Sequence, residues 1–222
     1  MLFQIISVLP EAFGYFNESI IGRGQKQGHF SIKIHDLRDW SLNRQRRIDD
    51  TPYGGGPGMV MQVEPIAKAL AAIKTNHKKC KVILMSAKGR TWTQAQARRY
   101  SHLDEVVIIC GRYEGVDERI KELIDEEIAI GNYVLTGGEL GAMTIVDSIA
   151  RLVPGVLGNA DSLIQESHSR VGQLEYPQYT KPEVVEINGQ KLAVPEVLLS
   201  GNHQAIDQWR RSQMKRKNNS IR

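Results

Sequence analysis

Apolar, β-branched runs alternate with helix-forming segments over the first 158 residues, and this alternation restricts the possible folds most. Five runs have the composition of buried strands: residues 3–9, 30–37, 81–87, 105–111 and 126–136. Helical spacing occurs at residues 63–76, 93–102 and 115–125, and in a segment after the last run, where Ala142, Ile145, Ile149 and Leu152 share one side and Pro154 ends the helix. The pattern predicts an α/β fold with a mostly parallel sheet covered by helices on both faces.

The sequence changes character after Gly158. Residues 159–170 are polar and without periodicity, which is typical of a flexible interdomain linker. Beyond it, Asn188-Gly189 is the signature of a two-residue hairpin turn, and a helix with a basic second half begins near residues 200–202. We therefore expect a domain at 1–158, a linker at 159–170 and a small, mainly helical, basic domain at 171–222.

Charge is unevenly distributed, although the formal net charge is only +4. Residues 38–47 contain four arginines and one acid, and residues 205–222 contain six Lys or Arg and one Asp. Two basic clusters favour a polyanionic partner such as a nucleic acid, since phosphate neutralisation is the sequence-independent part of that affinity. A solvated helix face and a frayed tail would give the same pattern.

The sequence lacks the motifs that mark several common functional classes. No glycine loop is followed by the GK[ST] of a P-loop, and no GxGxxG is present, which argues against NTPases, Rossmann dehydrogenases and Rossmann methyltransferases. The two cysteines form no CxxC and the six histidines no i,i+4 pair, so we expect neither a disulfide scaffold nor a protein-held transition metal. Without a membrane-length apolar run or a signal peptide, the expected location is the cytoplasm.

Three glycine-rich stretches follow or flank the strand-like runs: YGGGPG (53–58), CGRYEG (110–115) and IGNYVLTGGELG (130–141). In open α/β sheets, ligands bind beyond the carboxyl ends of the strands, where such loops collect. The second and third stretches combine glycines with Tyr113 and Tyr133, which suits an adenine held by backbone hydrogen bonds better than a triphosphate. The first stretch suits the close approach of a flat ligand, a phosphate or an ordinary turn.

Six blocks of the sequence resemble the signature blocks of the bacterial tRNA (guanine-N1)-methyltransferases, the TrmD family of the SPOUT methyltransferases. They are DDTPYGGGPGM, CGRYEGVDER, IGNYVLTGGEL, ARLVPGVLG, LEYPQYTKPE and VPEVLLSGNH. The likeness extends from the N-terminus to about Arg211. It implies an α/β domain with a C-terminal deep trefoil knot, a rare exception to the rule that chains do not thread loops.

The resemblance also implies a function. The family works as a homodimer with a shared active site, binds S-adenosylmethionine within the knot, and is assisted by Mg²⁺. It methylates N1 of the guanosine 3′ of the anticodon, position 37, when another guanosine precedes it. By analogy the cofactor site contains Ser86, Gly111, Tyr113, Glu114, Ile130, Gly131, Asn132, Tyr133, Val134, Leu135, Gly137 and Gly138. The tRNA surface comprises the arginines at 38–47, the loop at 49–59 and the C-terminal domain of the opposite subunit.

The reaction requires a base for the N1 proton and a cation for the charge that gathers on O6. In the family these are an aspartate of the linker and an arginine at a helix end, which correspond here to Glu166 and Arg151. Glutamate is of similar acidity but one methylene longer. The structural alternatives are that Glu166 is a solvated linker residue and that Arg151 is a cation that stabilises a helix C-terminus.

Other departures from the family pattern are milder. Asn132 replaces the usual aspartate, SAKG at 86–89 replaces SPQG, and Glu175 keeps the family's carboxylate. Two alternative functions remain. The protein is a catalytically impaired relative that binds RNA, or it is a SPOUT enzyme with another RNA target.

Overall fold

The computed structural model describes residues 1–73, 77–158, 166–169 and 172–215. The chain divides into two compact units, a sheet unit, Met1–Gly158, and a C-terminal unit, Asn159–Arg222. The predicted linker falls largely on residues 159–165 and 170–171, which lie outside the described residues.

The sheet unit is built on five parallel strands in the order β2-β1-β6-β5-β7. Their bounds are β1 Leu2–Ser7, β2 Ser31–Asp36, β5 Cys80–Thr91, β6 Glu105–Cys110 and β7 Glu126–Ala129. Two short strands, β3 Asp49–Asp50 and β4 Val60–Met61, pair antiparallel outside this sheet. All five predicted strands are therefore confirmed, and so is their parallel arrangement.

Helices cover both faces of the sheet. The α-helices of this unit are α1 Ser19–Lys26, α2 Val63–Ile73, α3 Gln94–Tyr100 and α4 Glu139–Ala150, and 3₁₀ helices span Pro10–Asn17, Leu37–Trp40 and Glu118–Leu123. The pattern predicted no element between residues 10 and 26. The predicted helix at 115–125 is the short 3₁₀ helix Glu118–Leu123, which Asp117 caps by accepting from the Arg119 backbone N–H.

Alternate residues of the central strands enter two different cores. On β6, Val106 and Ile108 pack with α4, while Val107 and Ile109 pack with α2 on the other face. This period of two explains why β6 is an unbroken apolar run after Glu105, since both faces of a parallel sheet are buried. The predicted apolar side of α4 is confirmed: Ala142, Ile145 and Ile149 are buried, and Leu152 packs against the same core.

Two strands differ from their predicted lengths, and both differences occur where the strands end. The predicted run 126–136 is a strand only to Ala129, after which the backbone leaves the sheet. Strand β5 continues to Thr91, but Met85 and Arg90 both pair with Ile128, so residues 86–89 bulge out of the ladder. These departures place the SAKG segment and the third glycine stretch beside one another.

The C-terminal unit contains a hairpin and two helices. Strands β8 Val184–Ile187 and β9 Gln190–Ala193 flank Asn188 and Gly189, whose φ angles of 54° and 76° fit the predicted primed turn. Helix α5 is Glu196–Leu199 and α6 is His203–Gln213, with Asn202 at the N-cap accepting from the Ala205 backbone N–H at 3.1 Å. The predicted hairpin and capped helix are confirmed.

Candidate functional site

The carboxyl ends of β5, β6 and β7 meet at one edge of the sheet, because parallel strands end on the same side. Three segments follow them: the 86–89 bulge, the CGRYEG stretch and the residues from 130 to 138. The Gly138 backbone N–H donates to the Gly111 carbonyl at 2.8 Å, and Arg112 forms a bridge with Gly137. The second and third glycine stretches are therefore joined by backbone hydrogen bonds.

These segments enclose a cavity of about 230 Å³. The residues proposed from the resemblance to hold the cofactor line it, with one exception: Ser86, Gly111, Tyr113, Glu114, Ile130, Gly131, Tyr133, Val134, Leu135, Gly137 and Gly138. Asn132 is exposed and lies outside the cavity lining, although both its neighbours contribute to it.

Glycine is required in the cavity wall by close contacts. A Cβ on Gly138 would lie 2.7 Å from Met85 Cβ and 2.8 Å from Cys110 Cα, and one on Gly111 would lie 3.0 Å from the Met85 carbonyl oxygen. Side chains at these positions would separate the loops from the strand ends. The absent side chains therefore leave a wall of peptide groups, which suits recognition of a flat heterocycle by backbone hydrogen bonds.

Tyr113 adopts a backbone conformation that is rare for a bulky residue. Its φ angle is 58°, in the left-handed region, while its side chain lines the cavity and remains about half exposed. Strained conformations of this kind persist where the surroundings hold them, and they concentrate at ligand sites. The hydrogen bonds from Glu114 N–H to the Met59 carbonyl, and from Gly115 N–H to the Arg112 carbonyl, fix this turn.

A buried ion pair lies beneath the cavity. Glu139, only 4% exposed, receives a hydrogen bond from Ser7 Oγ at 2.8 Å and a bifurcated one from Arg112 Nε–H, whose nitrogen lies 3.1 and 3.2 Å from the two carboxylate oxygens. Arg112 itself lines the cavity. The pair therefore ties the first turn of α4 and the end of β1 to the second glycine stretch.

The sequence did not indicate a role for Arg112 or Glu139, although each lies in one of the quoted motifs. No sequence pattern indicates which charged side chains a fold will bring together. The nearby Cys110 thiol has its pKa raised well above the usual range, first by complete burial and then by the charge of Glu139. The thiol is thus kept neutral.

The first glycine stretch contacts the cavity wall through its last residue. A Cβ on Gly58 would lie 2.5 Å from Glu114 Cγ, so this glycine is needed for close approach. Gly54, Gly55 and Gly56 have positive φ angles and open space around them, and Tyr53 is fully exposed. The loop therefore rests on the cavity wall at one end and presents its tip to solvent.

Two of the four arginines at 38–47 have side-chain hydrogen bonds or ion pairs with other described residues. Arg38 donates to the Val8 carbonyl at 2.5 Å and lies 3.6 Å from Asp36, and Arg46 pairs with Asp36 and Asp39. Arg44 and Arg47 are exposed. These contacts arrange the cluster as an ordered basic surface near the end of β1.

Arg151 lies at the other end of α4 from the cavity. It is the C-cap of that helix, thirteen positions after the Gly138 N-cap, which corresponds to roughly 20 Å at 1.5 Å per residue. It is absent from the cavity lining. The structure therefore does not bring Arg151 to the cavity of its own chain.

Glu166 belongs to the C-terminal unit, where it begins a turn. The Ser169 N–H donates to the Glu166 carbonyl at 3.0 Å, and the His168 N–H donates to the Gln173 carbonyl at 2.7 Å. Within the same unit, the Glu175 N–H donates to Ser167 Oγ at 3.0 Å. Glu166 and Glu175, the two carboxylates singled out in the sequence, are thus parts of one local structure.

Among the described residues, no three His, Cys, Asp or Glu side chains are grouped so as to hold a metal ion. In the same part of the chain, no helix is both long and apolar enough to cross a membrane.

Comparison with known proteins gives a consistent result. The family model described as tRNA (Guanine-1)-methyltransferase TrmD matches residues 1–222. A protein named tRNA (guanine-N(1)-)-methyltransferase from Geobacter sp. (strain M21) is 50% identical over 219 residues, covering 97% of this chain and 86% of the relative. Proteins of the same name from Syntrophotalea carbinolica and Clostridium perfringens (strain 13) are 48% and 46% identical, each over 96% of this chain and over 85% and 88% of the relatives.

Proposed function

Since the chain belongs to the tRNA (guanine-N1)-methyltransferase family, we propose that it transfers a methyl group from S-adenosylmethionine to N1 of a guanine in tRNA. The target that we propose is the guanosine at position 37, preceded by another guanosine. The observation that carries the proposal is the cavity at the carboxyl edge of the sheet, where the family's motif residues converge from three separate segments.

The cavity fits the cofactor chemically. Its glycine walls offer peptide N–H and C=O groups to an adenine, and Tyr113 and Tyr133 add aromatic surface. Glu114, Glu118 and Glu127 supply carboxylates for the ribose hydroxyls and the amino group. When bound, S-adenosylmethionine supplies an electrophilic methyl group on a sulfonium. We assign the cofactor contacts to the lining residues, with Asn132 outside them.

The chain's own residues have two tasks in the reaction. Guanine N1 carries a proton at neutral pH, so a carboxylate must accept it; we assign this role to Glu166. Negative charge moves onto O6 as N1 loses its proton and is neutralised as N1 takes the methyl group, and we assign the guanidinium of Arg151 to stabilise O6 in between. The first glycine loop, packed on Glu114, would form the floor beneath the target base.

Two features of the sheet unit support a homodimer with a shared active site. Arg151 is separated from the cavity of its own chain by the length of α4, so an arginine acting on the target base there has to come from a second copy. Beside the cavity, Tyr133, Val134 and Leu140 are more than half exposed. Clusters of exposed apolar side chains mark protein interfaces.

The remaining proposals follow from family membership. They are a trefoil knot formed by the segments around the cavity, a tRNA contact by the C-terminal unit, assistance by Mg²⁺ and a cytoplasmic location. The order β2-β1-β6-β5-β7, in which sequential strands are not always neighbours, supports the knot, and the basic residues at 205–222 support the tRNA contact.

The decisive experiment is a methylation assay with labelled S-adenosylmethionine and tRNA transcripts carrying GG, AG or GA at positions 36 and 37. We expect label only in the GG transcript and only on N1 of G37. Tight tRNA binding without methyl transfer would support the impaired relative, and label elsewhere would support another RNA target. A dimer by light scattering at micromolar concentration is the companion expectation.

A further inference from the structure

The C-terminal unit contains a second cavity, of about 500 Å³, most of whose lining residues belong to the LEYPQYTKPE and VPEVLLSGNH blocks. It is formed by the segment before β8, by helix α5 and by one side of α6. Its lining combines apolar side chains of α5 and α6 with Tyr176, Tyr179, Lys181, Trp209 and Arg210.

Three aromatic rings supply the flat surfaces of this cavity. Tyr179 and Trp209 lie with ring centroids 6.3 Å apart at an interplanar angle of 55°, so they do not stack on each other. Tyr179 is about half exposed, and Trp209 and Tyr176 are partly buried. Rings that line an open cavity without stacking on one another leave faces available to a planar ligand.

Positive charge lies beside these rings. The Arg210 guanidinium is positioned over the Tyr176 ring at 5.0 Å from the centroid. Its Nε is buried and has no hydrogen-bond partner within the described part of the chain. A buried donor without a partner is uncommon in native structures, and an oxygen of a ligand in the cavity would give this one an acceptor. Lys181 adds a second cation. Two carboxylates lie close to these cations: Glu183 lines the cavity, and Asp207 Oδ1 lies 3.9 Å from Arg210 Nη1.

We propose that this cavity binds an unpaired nucleobase of the substrate tRNA, stacked on the aromatic rings, with a backbone phosphate or base oxygen accepting a hydrogen bond from Arg210. The combination distinguishes a nucleotide from a purely apolar ligand, because stacking surface and cationic donors occur together. Gln178 and Thr180 offer further hydrogen-bonding groups at the same wall. The inference rests on the proposed tRNA contact of the C-terminal unit and gives that contact a defined site.

The first test needs no mutation. tRNA transcripts containing 4-thiouridine or 6-thioguanosine at single unpaired positions are irradiated with the wild-type protein, and the cross-linked peptides are identified by mass spectrometry. We expect one nucleotide to cross-link to a peptide containing residues 176–181 or 209–210. Efficient cross-links confined to the sheet unit would overturn the proposal, although methylation of the same transcripts would leave the proposed function intact.

The second test uses matched variants. Tyr179→Leu keeps apolar bulk but removes the ring, and we expect the KM for tRNA to rise by roughly 5- to 150-fold, as for loss of one stacked base. Tyr179→Phe keeps the ring and should resemble the wild type. Arg210→Gln should raise this KM more than Arg211→Gln, since only Arg210 lines the cavity. The KM for S-adenosylmethionine should not change in any of them.

Two results would contradict the proposal. Equal tRNA KM values for Tyr179→Leu and Tyr179→Phe, with both folded by circular dichroism, would show that the ring contacts no base. Loss of dimerisation in Tyr179→Leu, with unchanged tRNA affinity per dimer, would show that the cavity holds a second copy of the chain.

Discussion

The two units of the chain differ most in what they bury. In the sheet unit, both faces of β1 and β6 are covered, and the fully buried hydrophobic side chains form two cores. In the C-terminal unit, none of the described residues is fully buried, and every residue of β8 and β9 is exposed. A two-stranded hairpin is only marginally stable by itself.

The comparison indicates a division of work. The sheet unit can hold its cofactor cavity by packing alone, because the strand ends and glycine contacts that form it are extensions of the core. The C-terminal unit presents its side chains outward, which suits a part that is completed by another molecule. We therefore expect changes in the C-terminal unit to affect turnover and tRNA binding, and changes in the core and cavity wall of the sheet unit to affect stability and cofactor binding. Arg151, at the far end of α4 in the sheet unit, should affect turnover.

The largest expected effect tests whether a change in the C-terminal unit affects turnover without affecting cofactor binding. Glu166→Gln removes proton acceptance but keeps size and hydrogen-bonding capacity. The rate of methyl transfer in single-turnover assays should fall by about two to four orders of magnitude. The affinity for S-adenosylhomocysteine, measured by calorimetry, should remain that of the wild type, because Glu166 lies outside the sheet unit.

Glu166→Asp is the matched control and should retain much more activity, since it keeps the carboxylate and restores the family's usual aspartate at the cost of reach. Arg151→Ala should also slow the reaction, and the double variant should lose less than the product of the two effects if both groups act on one transition state. Nearly normal methylation by Glu166→Gln would identify another proton acceptor, with Glu175 the nearest candidate in the chain's local structure.

The second prediction concerns the ion pair beneath the cofactor cavity. Glu139→Ala leaves Arg112 without its buried partner, and the free energy of unfolding in urea should decrease by about 3 kcal/mol. The double variant Arg112→Met/Glu139→Leu should recover most of this loss but not the cofactor affinity, since Arg112 lines the cavity. A loss under about 1 kcal/mol in Glu139→Ala would show that solvent screens the pair as at a surface.

Gly138→Ala tests the close contact between the third glycine stretch and the strand ends. The added methyl would meet Met85 and the backbone of Cys110, so we expect a loss of about 1–3 kcal/mol in stability together with weaker cofactor binding. Gly14→Ala is the control, because nothing lies within 4 Å of its Cβ position. Equal cofactor affinities for the two variants would mean that the cavity wall tolerates separation of the loops.

The smallest expected effect is a pH dependence of stability at His35, on the outermost strand β2. Burial, and then the charge of Lys33, lower the pKa of His35, whose Nε2 pairs with Gln4 Oε1 at 2.9 Å. Because the unfolded state then binds this proton more readily, stability is lost as the pH falls through the unfolded value near 6.5. Between pH 7.5 and 5.5, the Tm of His35→Gln should decrease less than the Tm of the wild type, and the difference between the two decreases should be at most about 2 °C.

His203→Gln serves as the comparison in the exposed C-terminal unit, and its Tm profile with pH should match the wild type. If the Tm of His35→Gln also changes with pH as in the wild type, His35 does not contribute to the loss of stability of the sheet unit at low pH.

Much of the fold was predictable because it depends on short-range sequence patterns. Apolar, β-branched runs bounded by polar residues or glycine predicted the five strands, and Asn188-Gly189 and Asn202 marked a turn and a helix start through local backbone chemistry. The ends of β5 and β7 were not predictable in the same way. Apolar residues such as Val134 and Leu135 continue the strand-like pattern, but the backbone leaves the sheet to form the cavity wall.

The sequence alone therefore determined the fold class, the order of elements and, through its motif blocks, the residues that gather around the cavity. The tertiary structure decided which of them face it, excluding Asn132 and adding Arg112, because this depends on how loops from distant strands close over one another. It also placed Arg151 a helix length away from the cavity and paired Glu139 with Arg112 in the interior. Charge pairing and distance across a fold are set by packing between segments remote in sequence, which no local pattern contains.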